Sequence, residues 1–202
     1  MVALAVSGII IAAVYGAYIS QQKTYLVQDQ VAEMQQNLRA ALVFLSDDIR
    51  MAGYDINSTG LFGISTASKT KMVFSADFDG NGVVGPGETL TYELYLPAGA
   101  SMTALRRIAG RASVAENIEA IEFQYLDGSG NDLGPGGTVP SSSLNDIRAV
   151  RISVLARAKQ PDRSYTDTSA YVAASGSVWP PFGDNYRRRL QRITVNCRNI
   201  GL

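Results

Sequence analysis

The chain has 202 residues, with Lys+Arg and Asp+Glu balanced at 18 each. That length suits one extracytoplasmic domain plus a long helix, and the balance gives no global field that favours nucleic acid or an anionic surface. There is no histidine and one cysteine, Cys197. An intrachain disulfide and a thiolate–imidazole pair are therefore excluded, and with them the commonest general base and transition-metal ligand. A carboxylate-based hydrolase stays formally open, but no motif for one is present.

Residues 1–20 read MVALAVSGIIIAAVYGAYIS, and Lys23 is the first charged residue. About 20 apolar residues at 1.5 Å each match a hydrocarbon core of roughly 30 Å, so residues 1–23 read as a transmembrane half of an N-terminal helix. The alternatives are a secretory signal and a buried core helix. A signal needs a basic n-region and a small-residue cleavage site, and neither is evident here. The rest of the chain offers no obvious partner for so apolar a core helix.

The helical pattern continues over residues 24–53. Val27, Val31, Met34, Leu38, Leu42, Leu45, Ile49 and Ala52 recur three and four apart and form one apolar stripe, with polar residues largely on the other faces. Gly53 is the expected stop, with Arg50 placed to favour the helix dipole. The Asp47, Asp48 and Arg50 group reads as local helix electrostatics. A continuous helix of this extent is roughly 75 Å long.

Residues 54–202 read as a β-rich domain. Strands are expected at 71–76, 89–96, 118–126, 149–156 and 190–197. Ile121, Phe123 and Tyr125 alternate with Glu122 and Gln124, the period of a sheet with one face covered. The stretches 127–146 and 158–185 read as long surface loops. The implied class is α+β: a long N-terminal helix packed on an antiparallel sheet.

Asp77 to Glu88, DFDGNGVVGPGE, fits a twelve-residue calcium loop. Asp77, Asp79 and Asn81 supply side-chain oxygens at positions 1, 3 and 5. Gly82 takes position 6, Val83 offers its carbonyl at position 7, and Glu88 closes the site at position 12. The hard ion wants six to eight oxygens, which gives the spacing its physical reason. The flanks, VFSA and TLTYELYL, look like strands where a calcium-binding helix–loop–helix has helices. The competing reading is a metal-free hairpin. Calcium is the one cofactor expected. The Asp127–Asp132 loop lacks a closing acid and reads as a hairpin turn.

Arg187, Arg188, Arg189 and Arg192 form a basic cluster, read as a solvated strand end or subunit contact, with no nucleic acid expected. Cys197 sits in the apolar register with Val195 and reads as a small buried hydrophobe. Trp179-Pro180-Pro181-Phe182 reads as an exposed apolar turn, either a contact site or an anchored loop.

These residues resemble a family. The apolar N-terminus is similar to the hydrophobic helix of type IV prepilins. LRAALVFLSDDIRMAGYD, residues 38–55, resembles the helix-ending signature of PilW-type minor pilins. LRRIAGRASVAENIEAIEFQYLDG (105–128), AVRISVLAR (149–157) and YRRRLQRITVNCRN (186–199) resemble the family's central segment and closing strands. The resemblance implies a type IV pilin-like fold and a non-enzymatic subunit that helps prime pilus assembly, near the tip, beside other minor pilins and the major pilin. It also implies processing of the precursor by a prepilin peptidase and residence in the bacterial inner membrane before display on the pilus. The family's leader junction, G-F-T-L-I-E, does not occur in residues 1–20, so no residue is assigned to its glutamate. The alternatives are a pseudopilin of a type II secretion system and a membrane-anchored calcium-binding adhesin domain.

Overall fold

The computed structural model describes residues 2–107 and 112–201. The side chains of residues 1, 2, 4 and 5, at the start of the apolar run, and residues 108–111 of the 105–128 patch lie outside that description. A single helix, α1, runs from Val2 to Met51. The stripe read from the sequence is its buried face: Met34, Leu38, Leu42, Leu45, Ile49 and Ala52 are all buried, joined by Ala41. Val31 packs on the rim of this core. Fully burying one such leucine or isoleucine contributes about 1.5–3 kcal/mol, so this face decides where the helix lies.

The N-terminal part of α1 has no such cover. Val6, Ile9, Ile10, Ile11, Val14 and Tyr15 point in every direction and are each at least 50% exposed. Among the described residues no helix has a stretch long and apolar enough to cross a membrane. The membrane span expected over residues 1–23 is therefore not supported by the described residues.

The helix ends where the sequence placed its end. Gly53 has φ +77, a left-handed conformation that glycine adopts without steric cost. The Tyr54 amide returns to the Met51 carbonyl at 2.9 Å, and Asn199 Nδ2 donates to the Arg50 carbonyl at 3.0 Å. These bonds satisfy carbonyls that the helix itself leaves open. The Gly53 amide donates to the Ser75 carbonyl at 2.9 Å, which ties the helix end to the sheet.

The first sheet is an antiparallel meander of β1 (Ile64–Ala67), β2 (Lys71–Ser75), β3 (Thr89–Tyr95), β4 (Ala104–Arg107) and β5 (Ala112–Ala115). The second has the order β10–β7–β6, from β6 (Ile118–Leu126), β7 (Ala149–Arg157) and β10 (Arg188–Asn196). A 3-10 turn, Ser141–Asp146, and a two-stranded ribbon of β8 (Tyr171–Val172) and β9 (Val178–Trp179) complete the elements. The expected strands are present within a residue or two. The short β1, β4 and β5 were not legible, because four-residue segments show too few alternations to set a period.

Two expectations change. The second sheet is covered on both faces. Val150, Ile152 and Val154 of β7 face the helix core, while Ser153 and Leu155, in the opposite register, are equally buried. Their cover is the 158–185 stretch, expected as a surface loop, which lies back across β7: Ala174 N–H donates to Ser153 Oγ at 2.8 Å. Asp48 is the second change. Arg50 and Asp47 stay local, 3.9 Å apart and exposed. Asp48 instead reaches the sheet, accepting from Tyr92 Oη on β3 and from the Arg107 guanidinium on β4, with Arg107 Nη2 at 3.2 Å.

A Cβ built on Gly53 would lie 2.6 Å from Ile200 Cδ1 and 2.9 Å from the Asn199 carbonyl oxygen. Gly53→Ala combines that clash with the strain of positive φ. It is expected to lower stability by more than about 1 kcal/mol in urea titration; an unchanged midpoint would refute this account of the helix end.

Candidate metal centre

The twelve-residue loop joins β2 to β3. Its base is closed by Ala76 N–H donating to the Glu88 carbonyl at 3.1 Å and Asp77 N–H to the Tyr54 carbonyl at 2.8 Å. Two glycines let the chain turn tightly, Gly80 at φ +76 and Gly82 at φ +74. Gly82 is required twice over, since a Cβ there would sit 2.8 Å from Asn57 Nδ2 of the neighbouring turn.

Three of the predicted ligands converge. Asp77, Asp79 and Glu88 each present a carboxylate oxygen within 4.8 Å of the others, with Asp77 and Glu88 buried and Asp79 exposed. Asp77 Oδ1 accepts the Gly80 N–H at 2.8 Å and its Oδ2 the Gly82 N–H at 3.1 Å. Glu88 Oε1 accepts the Phe78 N–H at 3.0 Å, and Oε2 the Gly85 N–H at 2.6 Å. The Val83 carbonyl and Glu88 Oε2 both border Gly85. A Cβ on Gly85 would lie 3.4 Å from Glu88 Oε2 and 3.9 Å from Val83 O.

Asn81 is oriented otherwise. Its Nδ2 donates to Asp79 Oδ2 at 2.8 Å, while its Oδ1 accepts the Val83 N–H at 2.7 Å. The amide therefore turns its nitrogen toward the carboxylates, and ligation through Oδ1 requires it to rotate. Among the described residues no Lys or Arg forms an ion pair with Asp77, Asp79 or Glu88. Three carboxylates this close repel one another, and the backbone N–H groups that donate to Asp77 and Glu88 oppose that repulsion. All-oxygen donors, acidic charge and a glycine-shaped turn fit a hard divalent cation such as calcium.

The basic cluster is corrected by the structure. Arg188 is buried and is bound by three carboxylates. It donates to Asp167 Oδ2 at 2.9 Å, to Asp184 at 2.6 and 2.7 Å, and to Glu119. Its guanidinium lies 3.8 Å from the centre of the Phe182 ring, so the apolar turn read at 179–182 is anchored there. Arg187 pairs with Asp162 at 2.8 Å and lies over the Tyr165 ring. These contacts fasten the 158–185 cover to β10. Arg189 and Arg192 stay exposed, as read. The available signal was Asp162, Asp167 and Asp184 recurring just ahead of an arginine run, but their pairing is set only by the return of the chain.

Cys197 is buried, and burial pushes its thiol up to about 12, leaving it an inert hydrophobe at neutral pH. The Asp127 loop is a turn, as read: Asp127 Oδ1 accepts the Ser129 and Asn131 N–H groups, both at 2.8 Å.

This chain has the α+β arrangement expected of a pilin, a long N-terminal helix packed on antiparallel sheets. The resemblance to PilW-type proteins is shown over the second half of the chain, where residues 100–199 match the family model described as type IV pilus-assembly protein W. A type IV-like pilin from Thermus thermophilus is similar in structure, with TM-score 0.49 and 16% identity, covering 83% of this chain and 98% of that one. No curated protein matches the chain. The calcium-type loop lies ahead of the matched segment.

The fastening of the cover has a pH consequence. Asp162 is lowered from 3.8 to about 2, first by the Ser164 hydroxyl and then by Arg187, and Asp184 is lowered by its bond to Arg188. Carboxyls held below their unfolded values add stability that is complete above about pH 5 and is lost as pH falls through the folded values. The urea midpoint is expected to drop between about pH 4 and 2, with a smaller drop in Asp162→Asn. A variant as acid-sensitive as the wild type would remove Asp162 from this role.

Proposed function

We propose that the chain is a non-enzymatic minor subunit of a type IV pilus, built into the filament through α1 with its β-domain displayed outward. The observation that carries this reading is the division of one helix into two halves. From Met34 to Ala52 one face is buried on the sheets, whereas from Val6 to Val14 apolar side chains are exposed all round. An apolar surface of that kind is stabilised when other apolar helices cover it. Equivalent helices of the major pilin and of other minor pilins are the covering partners in this reading. The family match over residues 100–199 supports a pilus-assembly setting, hence the cell envelope or surface. A priming or tip-proximal place in the filament is part of the proposal.

The test is a count of surface pili by electron microscopy in a clean deletion, complemented with the wild-type gene or with Ile10→Asp. Loss of pili, restored by the wild type and not by Ile10→Asp, supports the reading. Normal piliation in the deletion opposes it, and normal piliation with a secretion defect favours the pseudopilin alternative.

We further propose that Asp77, Asp79, Val83 and Glu88 bind calcium, with Asn81 joining after its amide rotates. The support is the convergence of three carboxylates, without an ion-pair partner among the described residues, in a turn held by Gly80 and Gly82. An ion that binds only the folded chain at about 100 times its dissociation constant stabilises it by about 2.7 kcal/mol, a rise of about 5–10 °C in melting temperature. Purified wild-type chain is expected to show this rise with calcium, and Asp79→Ala to lose it. No rise in the wild type, or an equal one in the variant, means that the loop is a metal-free hairpin.

A further inference from the structure

The second sheet has one closed edge and one open edge. At β6 the edge is closed: Phe123 N–H donates to the Lys69 carbonyl at 2.8 Å, and the Tyr125 carbonyl accepts the Leu133 N–H at 2.9 Å. At the other edge β10 pairs only with β7. Where that pairing begins and ends, Ala158 N–H donates to the Arg187 carbonyl at 2.8 Å and Cys197 N–H to the Arg148 carbonyl at 2.9 Å. The register between these bonds runs without a bulge, so the odd-numbered residues of β10 bond β7 and the even-numbered ones do not. The N–H and C=O groups of Leu190, Arg192 and Thr194 therefore point outward. Among the described residues no other element bonds them.

Positive charge gathers on the same edge. Thr194 lies opposite Arg151 of β7, and Arg192 opposite Ser153. Arg192 and Arg151 are thus diagonal neighbours on one face, about 7–8 Å apart at the backbone. Both are exposed, and they line one open hollow with Ala174, Ile193 and Thr194. Arg189 stands exposed on the other face. Just ahead in the chain, Arg187 and Arg188 pair with Asp162 and Asp167 at 2.8 and 2.9 Å. Arg151, Arg189 and Arg192 pair with no acid among the described residues.

Unbonded edge amides and uncompensated guanidinium groups are met together by one kind of occupant. We infer that β10 accepts an extended acidic segment of a partner protein as an added strand. Its backbone bonds Leu190, Arg192 and Thr194, and its carboxylates meet Arg192 and Arg151. A phosphate or a nucleic acid would use the guanidinium groups and leave the amides unbonded. The register also sets the pattern of the segment. In an antiparallel addition, a guest residue opposite Arg192 shares its face, and one opposite Thr194 reaches Arg151 across that short side chain. The guest residue between them falls on the helix side of the sheet, beside half-buried Ile193, and is apolar. The inference rests on neither the pilus nor the calcium reading.

The test is fluorescence anisotropy of labelled peptides titrated with the full chain at low ionic strength. One peptide alternates Glu and Val, and the other alternates Lys and Val. The Glu–Val peptide is expected to bind and the Lys–Val peptide not. Arg192→Glu is expected to weaken the first roughly tenfold and to admit the second. Thr194→Pro removes an N–H that β7 does not use, so it is expected to abolish binding while the chain still folds. An unchanged melting curve confirms that each variant is folded, and Arg192→Glu, a change at an exposed side chain, carries the test should Thr194→Pro unfold. Failure of the Glu–Val peptide to bind the wild type overturns the inference. So does unchanged binding in folded Thr194→Pro, which means that the arginines alone hold the peptide. Tighter binding of a single-stranded DNA oligonucleotide overturns it as well, since the patch is then a phosphate site.

Discussion

The burial of one face of α1 against the two sheets is the constraint on which the rest depends. Leu38, Leu45 and Ile49 are fully buried in one core with Met72, Phe74, Leu90 and Tyr92 of the first sheet and Ile152 and Val154 of the second. The polar ties follow from that seat. Asp48 meets Tyr92 and Arg107 only because Leu45 and Ile49, on either side of it, are already in place. Burial and the Asp48 carboxylate push the Tyr92 hydroxyl well up, so it stays a donor throughout the physiological range.

The turn after Gly53 carries the same constraint into the candidate metal loop. The chain leaves the helix, passes Tyr54, whose carbonyl receives Asp77 N–H, and runs past Asn57, whose amide reaches the Gly80 carbonyl at 3.1 Å. The loop is thus held by the helix end as well as by its own strands. A strand-flanked loop can keep the carboxylate geometry of a helix-flanked one because the bonds that shape it are local: Asp77 to Gly80 and Gly82, and Glu88 to Phe78 and Gly85.

Much of this was legible in the sequence, for identifiable reasons. The amphipathic stripe repeats over seven turns, so its period could be read. The carboxylate spacing of Asp77, Asp79 and Glu88 is a local pattern that survives whatever surrounds it. What the sequence hid depends on chain return. Glu122 and Ser153 look like solvent-facing strand positions, yet the returning 158–185 stretch bonds both, and Lys69 also meets Glu122. Arg188 looks like one of a solvated run, and three carboxylates from as far back as Glu119 claim it. Asn81 sits at the right position in the pattern, yet the neighbouring Val83 amide decides which way its side chain faces.

The sheet order leaves β10 with one neighbour, β7, and an open outer side. Such an edge is a template on which another chain can add a strand. Here Arg189, Gln191, Arg192 and Thr194 stand exposed along it, and two like copies brought edge to edge would set guanidinium against guanidinium. In the proposed filament, copies drawn together along their exposed apolar helices would meet like charge at this edge, which discourages them from merging their sheets there.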